Sequence, residues 1–134
     1  MSVLINIDVP DLEAGVDFYT TAFGLSVSRR LGADAVELTG WPSPVYLLRK
    51  DTGTVGAAGQ ARLYTRHWTP VHLDVVVDDI DGAVARATAA GAQLECPPRL
   101  APYGKIAMLA DPFGHGICLI EFVGRGYDEL IHAT

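Results

Sequence analysis

Apolar and polar residues alternate from the first positions of the chain. Val3, Ile5, Ile7 and Val9 are apolar, and Leu4, Asn6 and Asp8 lie between them. Period two with β-branched residues predicts a strand with one face on a core. Pro10 ends it, and Asp11 is placed to cap a helix with Glu13 in its first turn. Leu12, Val16, Tyr19 and Phe23 then form one helical stripe, and Gly24 suits the position just past the helix end. Three short strands are predicted over residues 25–31, 35–39 and 45–49. Gly32 and Asp34 punctuate the first turn between them, and Gly40, Pro42 and Pro44 the second. Residues 51–61 are rich in glycine, alanine and threonine and show no period, which reads as a flexible connector. Arg62, Tyr64, Arg66, His67 and Trp68 extend it to residue 70 as a partly ordered arm.

The opening pattern then returns. Val71, Leu73, Val75 and Val77 alternate with His72, Asp74, Val76 and Asp78, and Asp79 is placed to cap a second helix with the stripe Ile80, Val84 and Ala87. Val3 falls on Val71, an offset of 68, and at that offset residues 3–22 match 71–90 without a gap. Val9/Val77, Asp11/Asp79, Val16/Val84, Thr20/Thr88 and Ala22/Ala90 are identical pairs. Strand period, cap and helix stripe recur together, so the chain is read as a duplicated β-α-β-β-β unit. The second copy predicts strands over 93–96, 106–110 and 117–122, with Cys96-Pro97-Pro98 as a strand end and a rigid exit. Asp111-Pro112-Phe113-Gly114 is a turn, with His115 exposed beside it. The expected organisation is one α+β domain over residues 1–134: module 1 at 1–50, connector 51–70, module 2 at 71–125 and a tail at 126–134.

Composition narrows the function classes. The chain has 134 residues, 49% of them hydrophobic, with 10 basic and 16 acidic side chains and a net charge of −6. That length buries a real core but is too short for a two-domain hydride-transfer enzyme or a closed eight-fold barrel. An acidic surface repels phosphate backbones and anionic membranes, so neither nucleic acid nor a membrane is an expected partner. There is no basic, then apolar, leader pattern, and the charge-free stretch of residues 38–48, which no other exceeds in length, carries two prolines. A cytoplasmic protein is expected, with Cys96 and Cys118 reduced. No phosphate-loop, zinc-protease or nucleophile-elbow motif is present, and the glycines of residues 53–59 have the wrong spacing for dinucleotide binding.

Both helix stripes must be buried against one face of their strands. Leu4, Asn6 and Asp8, and in the second copy His72, Asp74 and Val76, then lie on the other face. Such a face is either solvated or part of a pocket. Asp74 beside His72 is either an acid/base pair or a structural hydrogen bond. Cys118 is either a nucleophile or a small buried hydrophobe. Tyr103 lies in a proline-flanked loop at a candidate cavity lip, and Trp41 and Trp68 are candidate aromatic walls or packing residues.

Three pieces carry a family resemblance. They are Val9-Pro10-Asp11-Leu12 with Phe18-Tyr19 and Phe23-Gly24-Leu25; the run from His72 to Ile80; and Asp111-Pro112-Phe113-Gly114-His115. In order and spacing the chain resembles the vicinal oxygen chelate superfamily, which joins glyoxalases, bleomycin-resistance proteins and ring-cleaving dioxygenases. The resemblance implies a curved mixed sheet around a cavity, and a homodimer. Metal-dependent members place His, Glu, His and Glu on four cavity strands. Carried over by position, these fall on Leu4, Leu47, His72 and Cys118. Only His72 matches, so no metal and no cofactor are expected. The expected function is binding or sequestering a small organic ligand through Asn6, Asp8, Leu47, His72, Asp74, Tyr103 and Cys118. The alternative is a lyase, isomerase or hydrolase using His72 and Asp74, with or without a non-standard divalent metal. A dimeric scaffold without ligand is the third reading.

Overall fold

The computed structural model describes residues 1–131, and the chain separates into two compact units, Met1–Thr65 and a second that begins at Arg66. Each unit is a four-stranded mixed sheet with one α-helix, so the fold is α+β and built from two tandem modules. Neither sheet closes on itself.

In the first unit, β1 (Ile5–Val9), α1 (Leu12–Phe23), β2 (Ser26–Arg30), β3 (Ala35–Thr39) and β4 (Val45–Arg49) follow in sequence. The sheet order is β1-β4-β3-β2, with β1 parallel to β4 and the other pairs antiparallel. Asp11 caps α1 by accepting from the Ala14 N–H at 3.1 Å, and Gly24 closes it in the left-handed region at φ 67°. The helix buries Leu12, Val16, Phe18, Tyr19 and Ala22. Ile7, Val9, Val36, Leu38, Val45 and Leu47 are buried from the sheet. Gly15 lets the helix approach closely: a Cβ there would lie 3.3 Å from Val9 and Leu47. Phe23 packs on Trp41 at 5.5 Å, which makes Trp41 part of this packing.

The expected flexible connector is ordered. Residues 53–62 fold back on themselves, with Gly53 donating to Arg62, Gly56 to Gln60 and Arg62 to the Thr54 carbonyl. Arg62 then pairs with Asp8 at 2.8 Å, and the Tyr64 hydroxyl donates to the Lys50 carbonyl at 2.6 Å. These contacts tie residues 51–65 to the first unit, a binding that composition alone does not reveal.

The second unit repeats the plan with β5 (Leu73–Val76), α2 (Ile80–Ala89), β6 (Gln93–Ala101), β7 (Gly104–Ala110) and β8 (Gly116–Phe122), in the order β5-β8-β7-β6. Asp79 caps α2 through the Gly82 N–H, and Glu121 of β8 adds a second acceptor for the Ile80 N–H at 2.9 Å. Strand β6 runs through Cys96-Pro97-Pro98 instead of ending there. It is an edge strand whose register shifts around these prolines, so their missing N–H groups interrupt little pairing. The turn after β7 is tied by Asp111, which is 3% exposed and accepts from the Phe113 and His115 N–H groups at 2.9 Å each. His115 Nδ1 lies 2.8 Å from the same carboxylate, so His115 is half-buried and anchored, not free in solvent. Residues Gly126–Leu130 of the expected tail form a 3-10 turn, and residues 132–134 lie outside the described residues. Among the described residues, no helix is long and apolar enough to cross a membrane.

Candidate functional site

Each helix covers one face of its sheet and leaves the other face to side chains of alternate parity. On the second sheet, β5 and β8 are parallel neighbours with Asp74 opposite Cys118. His72 stands just before β5, two residues from Asp74, so both side chains fall on the face that Cys118 shares. His72 Nδ1 lies 2.9 Å from Asp74 Oδ1 and 3.9 Å from Cys118 Sγ. One donor atom from each of the three residues falls within 4.8 Å of the others. The His72 ring packs on Trp68 at 5.0 Å.

Burial differs across this trio. The His72 and Asp74 side chains are 29% and 38% exposed, whereas Cys118 is at 3%. Burial, reinforced by the Asp74 carboxylate, pushes the Cys118 thiol up to about 11. It is therefore protonated near neutral pH, and the trio in this state does not hold an activated thiolate nucleophile.

Beside the trio the face turns apolar. Ile106, Cys118 and Ile120 form a buried cluster against which Tyr103 and Met108 pack. Tyr103 contacts Tyr127 at a ring distance of 5.0 Å, and Tyr127 contacts Phe122 at 4.8 Å. Tyr103 is thus a packed aromatic at the margin of this floor. Tyr127 and Phe122, which sequence reasoning did not single out, complete it. At the other margin Arg66 reaches over Gly116, where a Cβ would lie 2.9 Å from its guanidinium, and pairs with Glu95 at 2.7 Å.

On the first sheet the same face is arranged differently. Asn6 is exposed, and Asp8 is held by Arg62. Leu4 is 54% exposed and aliphatic. Leu47 corrects the expectation placed on it. It pairs with Ile7, is fully buried and packs toward Gly15 on the helix side, so it does not line the helix-free face. One residue of register decides this, and Tyr46, which pairs with Asn6, takes the position instead. Tyr46 donates to Glu37 at 2.5 Å, and Arg29 grips the same carboxylate at 2.9 and 3.1 Å. These two donors hold the Glu37 carboxyl down to about 2, and Glu37 in turn raises the Tyr46 hydroxyl. The polar positions of Val36-Glu37-Leu38 and Val45-Tyr46-Leu47 were the signal for this group. Both obey the period-two rule that located Asn6 and Asp8.

The fold matches a known class. The family model for the glyoxalase-like domain covers residues 4–120. The chain belongs to that family, and with it to the vicinal oxygen chelate superfamily. Among curated proteins none matches. Several solved structures share the fold. The fosfomycin resistance protein FosX from Listeria monocytogenes is 16% identical with a TM-score of 0.73, covering 98% of each chain. A glyoxalase/bleomycin resistance protein/dioxygenase family enzyme from Burkholderia phytofirmans PsJN is 22% identical with a TM-score of 0.68, covering 90% of this chain and 97% of that one. TioX from Micromonospora sp. ML1 is 22% identical with a TM-score of 0.64 over the full length of both. A mutant of the Listeria protein has been seen complexed with Mn(II) and a dihydroxypropylphosphonic acid.

Proposed function

We propose that the protein binds a small organic ligand on the helix-free face of its second sheet, without the four-donor His/Glu metal centre of its metal-dependent relatives. One observation carries this reading. An apolar floor of Ile106, Ile120 and Met108, edged by Tyr103, lies next to the polar pair His72 and Asp74. Small-molecule sites combine such an apolar lining with a few convergent polar groups. The family's metal positions do not supply four donors in this chain. Leu4 has no lone pair, Leu47 is buried in the core, and Tyr46 beside it is already committed to Glu37. No hard-ion step is therefore assigned. Asn6 and Asp8 are candidate contacts on the first unit's own face, and a homodimer in the cytoplasm is the expected form.

The test uses Trp68, whose contact with His72 makes its fluorescence a reporter of this face. In a Trp41→Phe background, a panel of organic cations, aldehydes and carboxylic acids is titrated and followed by fluorescence and thermal shift. The expected result is saturable binding by one class, weakened about tenfold or more by Tyr103→Ala or Asp74→Asn. No response to any class overturns the reading in favour of a scaffold without ligand. Light scattering at about twice the 14.3 kDa chain mass checks the dimer.

The 2.9 Å approach of His72 to Asp74 favours a second reading. In it the pair moves a proton on the bound ligand, as in a lyase or isomerase. Turnover that survives loss of both side chains rejects it.

A further inference from the structure

We infer that the ligand of the second unit's helix-free face is an amphoteric organic molecule, whose ammonium group meets Asp74 and whose carboxylate meets Arg99 across the apolar floor. The inference rests on the organic-ligand reading and adds the ligand's chemistry to it.

Register sets these two charges at opposite edges of one floor. The sheet order is β5-β8-β7-β6, so Asp74 stands on one edge strand and Arg99 on the other. Asp74 pairs with Cys118, Cys118 with Met108 and Met108 with Cys96, which places these four in one row across the sheet. The next row runs from Val76 through Ile120 and Ile106 to Arg99. Cross-strand partners share a face, so Arg99 belongs to the side that carries the cluster of Ile106, Cys118 and Ile120. The register shift between Cys96 and Arg99 brings this about, since at unbroken register Pro98 would oppose Ile106. Three strand spacings, roughly 14 Å, separate the two edge backbones. An arginine stem lies along apolar surface and can carry its guanidinium over part of that width.

Both charges are open to a new partner. Among the described residues no carboxylate pairs with Arg99, which is exposed. Arg66, at the other end of the face, is already held by Glu95 in two hydrogen bonds. Lys105, next to Ile106 in sequence, falls on the opposite face. Asp74 is 38% exposed, and a carboxylate accepts up to about four hydrogen bonds, so an ammonium group fits beside His72. Between the two edges Met108 is only partly buried, and a thioether adapts to the shape laid on it.

This arrangement selects for both charges and for their separation. A singly charged ligand of the same length would cover the floor and leave one protein charge partly desolvated without a partner. An α-amino acid has both charges on one carbon and cannot serve two opposite edges. The ligand therefore carries its ammonium and carboxylate at the two ends of an apolar bridge.

The probes are ε-aminocaproate, caproate, hexylamine and norleucine, titrated calorimetrically into the full chain. ε-Aminocaproate and norleucine are isomers that differ only in where the ammonium group sits. ε-Aminocaproate should bind at least tenfold tighter than each of the other three. Arg99→Gln should lower its affinity to that of hexylamine, and Asp74→Asn to that of caproate, with the circular dichroism spectrum intact, because both side chains are exposed. Arg99→Glu should turn the preference to hexamethylenediamine. Equal affinity for ε-aminocaproate and a singly charged probe, or an advantage that survives Arg99→Gln, overturns the inference and leaves the organic-ligand reading standing. So does silence of all four probes where the organic panel responds. Silence of both sets overturns the two together.

Discussion

On the helix-free face of the first sheet, Glu37 is held by Arg29 and Tyr46, and Asp8 by Arg62. At the matching place on the second sheet, His72 stands 2.9 Å from Asp74 and 3.9 Å from Cys118, and an apolar floor follows. Asn6 and Asp74 are equivalent at the offset of 68, and their register partners on the neighbouring parallel strands, Tyr46 and Cys118, are equivalent by sheet position. One copy of the duplicated unit has spent its polar side chains on each other. The other has a smaller polar group, the partly exposed pair His72 and Asp74, beside apolar side chains. A satisfied ion-pair cluster costs energy to open, because each group would lose a strong partner. This difference is what the proposed ligand reading draws on, although both faces are polar in sequence.

The comparison can be broken most severely at Gly104. It sits at φ 151°, and a Cβ there would collide with the Glu121 carbonyl of β8. Gly104→Val should destabilise the chain by about 3 kcal/mol or more and remove ligand binding on this face. Urea denaturation measures it. A loss below about 1 kcal/mol would mean that β7 and β8 are not held at this spacing.

Next comes Asp111, the buried carboxylate that ties the turn between β7 and β8. Asp111→Ala leaves buried N–H donors unpaired and should cost roughly 2–3 kcal/mol. His115→Ala should cost less, because the two backbone bonds to Asp111 remain. If the two variants lose equally, the side-chain pair and not the backbone ties carries the turn.

The first face has its own signature in acid. Glu37 is held down to about 2 from an ordinary 4.5, so its contribution is fully present above pH 4.5 and is lost as pH falls from 4.5 towards 2. Glu37→Gln should flatten the dependence of melting temperature on pH in that window and lower stability above it. In the second unit the Glu95 carboxyl is also lowered, by the hydrogen bond from Arg66 alone, so Glu95→Gln acts in the same direction. It should flatten the profile less. An unchanged acid slope in Glu37→Gln would show that the cluster does not hold its charge in the folded state.

Much of this was legible in the sequence because it depends on period and punctuation. Strands β3 and β4 coincide with the alternating runs, and both helix caps fall on the aspartates the pattern chose. The site was less legible for two reasons. Which side a strand residue faces flips with one position of register, so Leu47 and Tyr46 exchange roles on a choice the sequence leaves open. Long-range ion pairs join residues far apart in the chain, such as Arg62 with Asp8 and Arg66 with Glu95. No local pattern announces them. Strand β6 was cut short for a third reason. Proline forbids central strands, and only the sheet order shows that this one is at an edge.

The smallest expected effects sharpen the comparison at the helix starts. Asp11 and Asp79 are identical caps, each accepting from the third residue on at 3.1 Å. Helix α2 has an additional acceptor, since Glu121 reaches the Ile80 N–H, one of the donors a helix start leaves unpaired. Asp11→Ala should therefore cost about 1 kcal/mol, and Asp79→Ala somewhat less, because a second carboxylate still holds the first turn. A double-mutant cycle of Asp79→Ala with Glu121→Gln should then lose more than the sum of the single changes. Additivity would instead mean that the two carboxylates act on α2 independently, and the copies would differ in their faces alone.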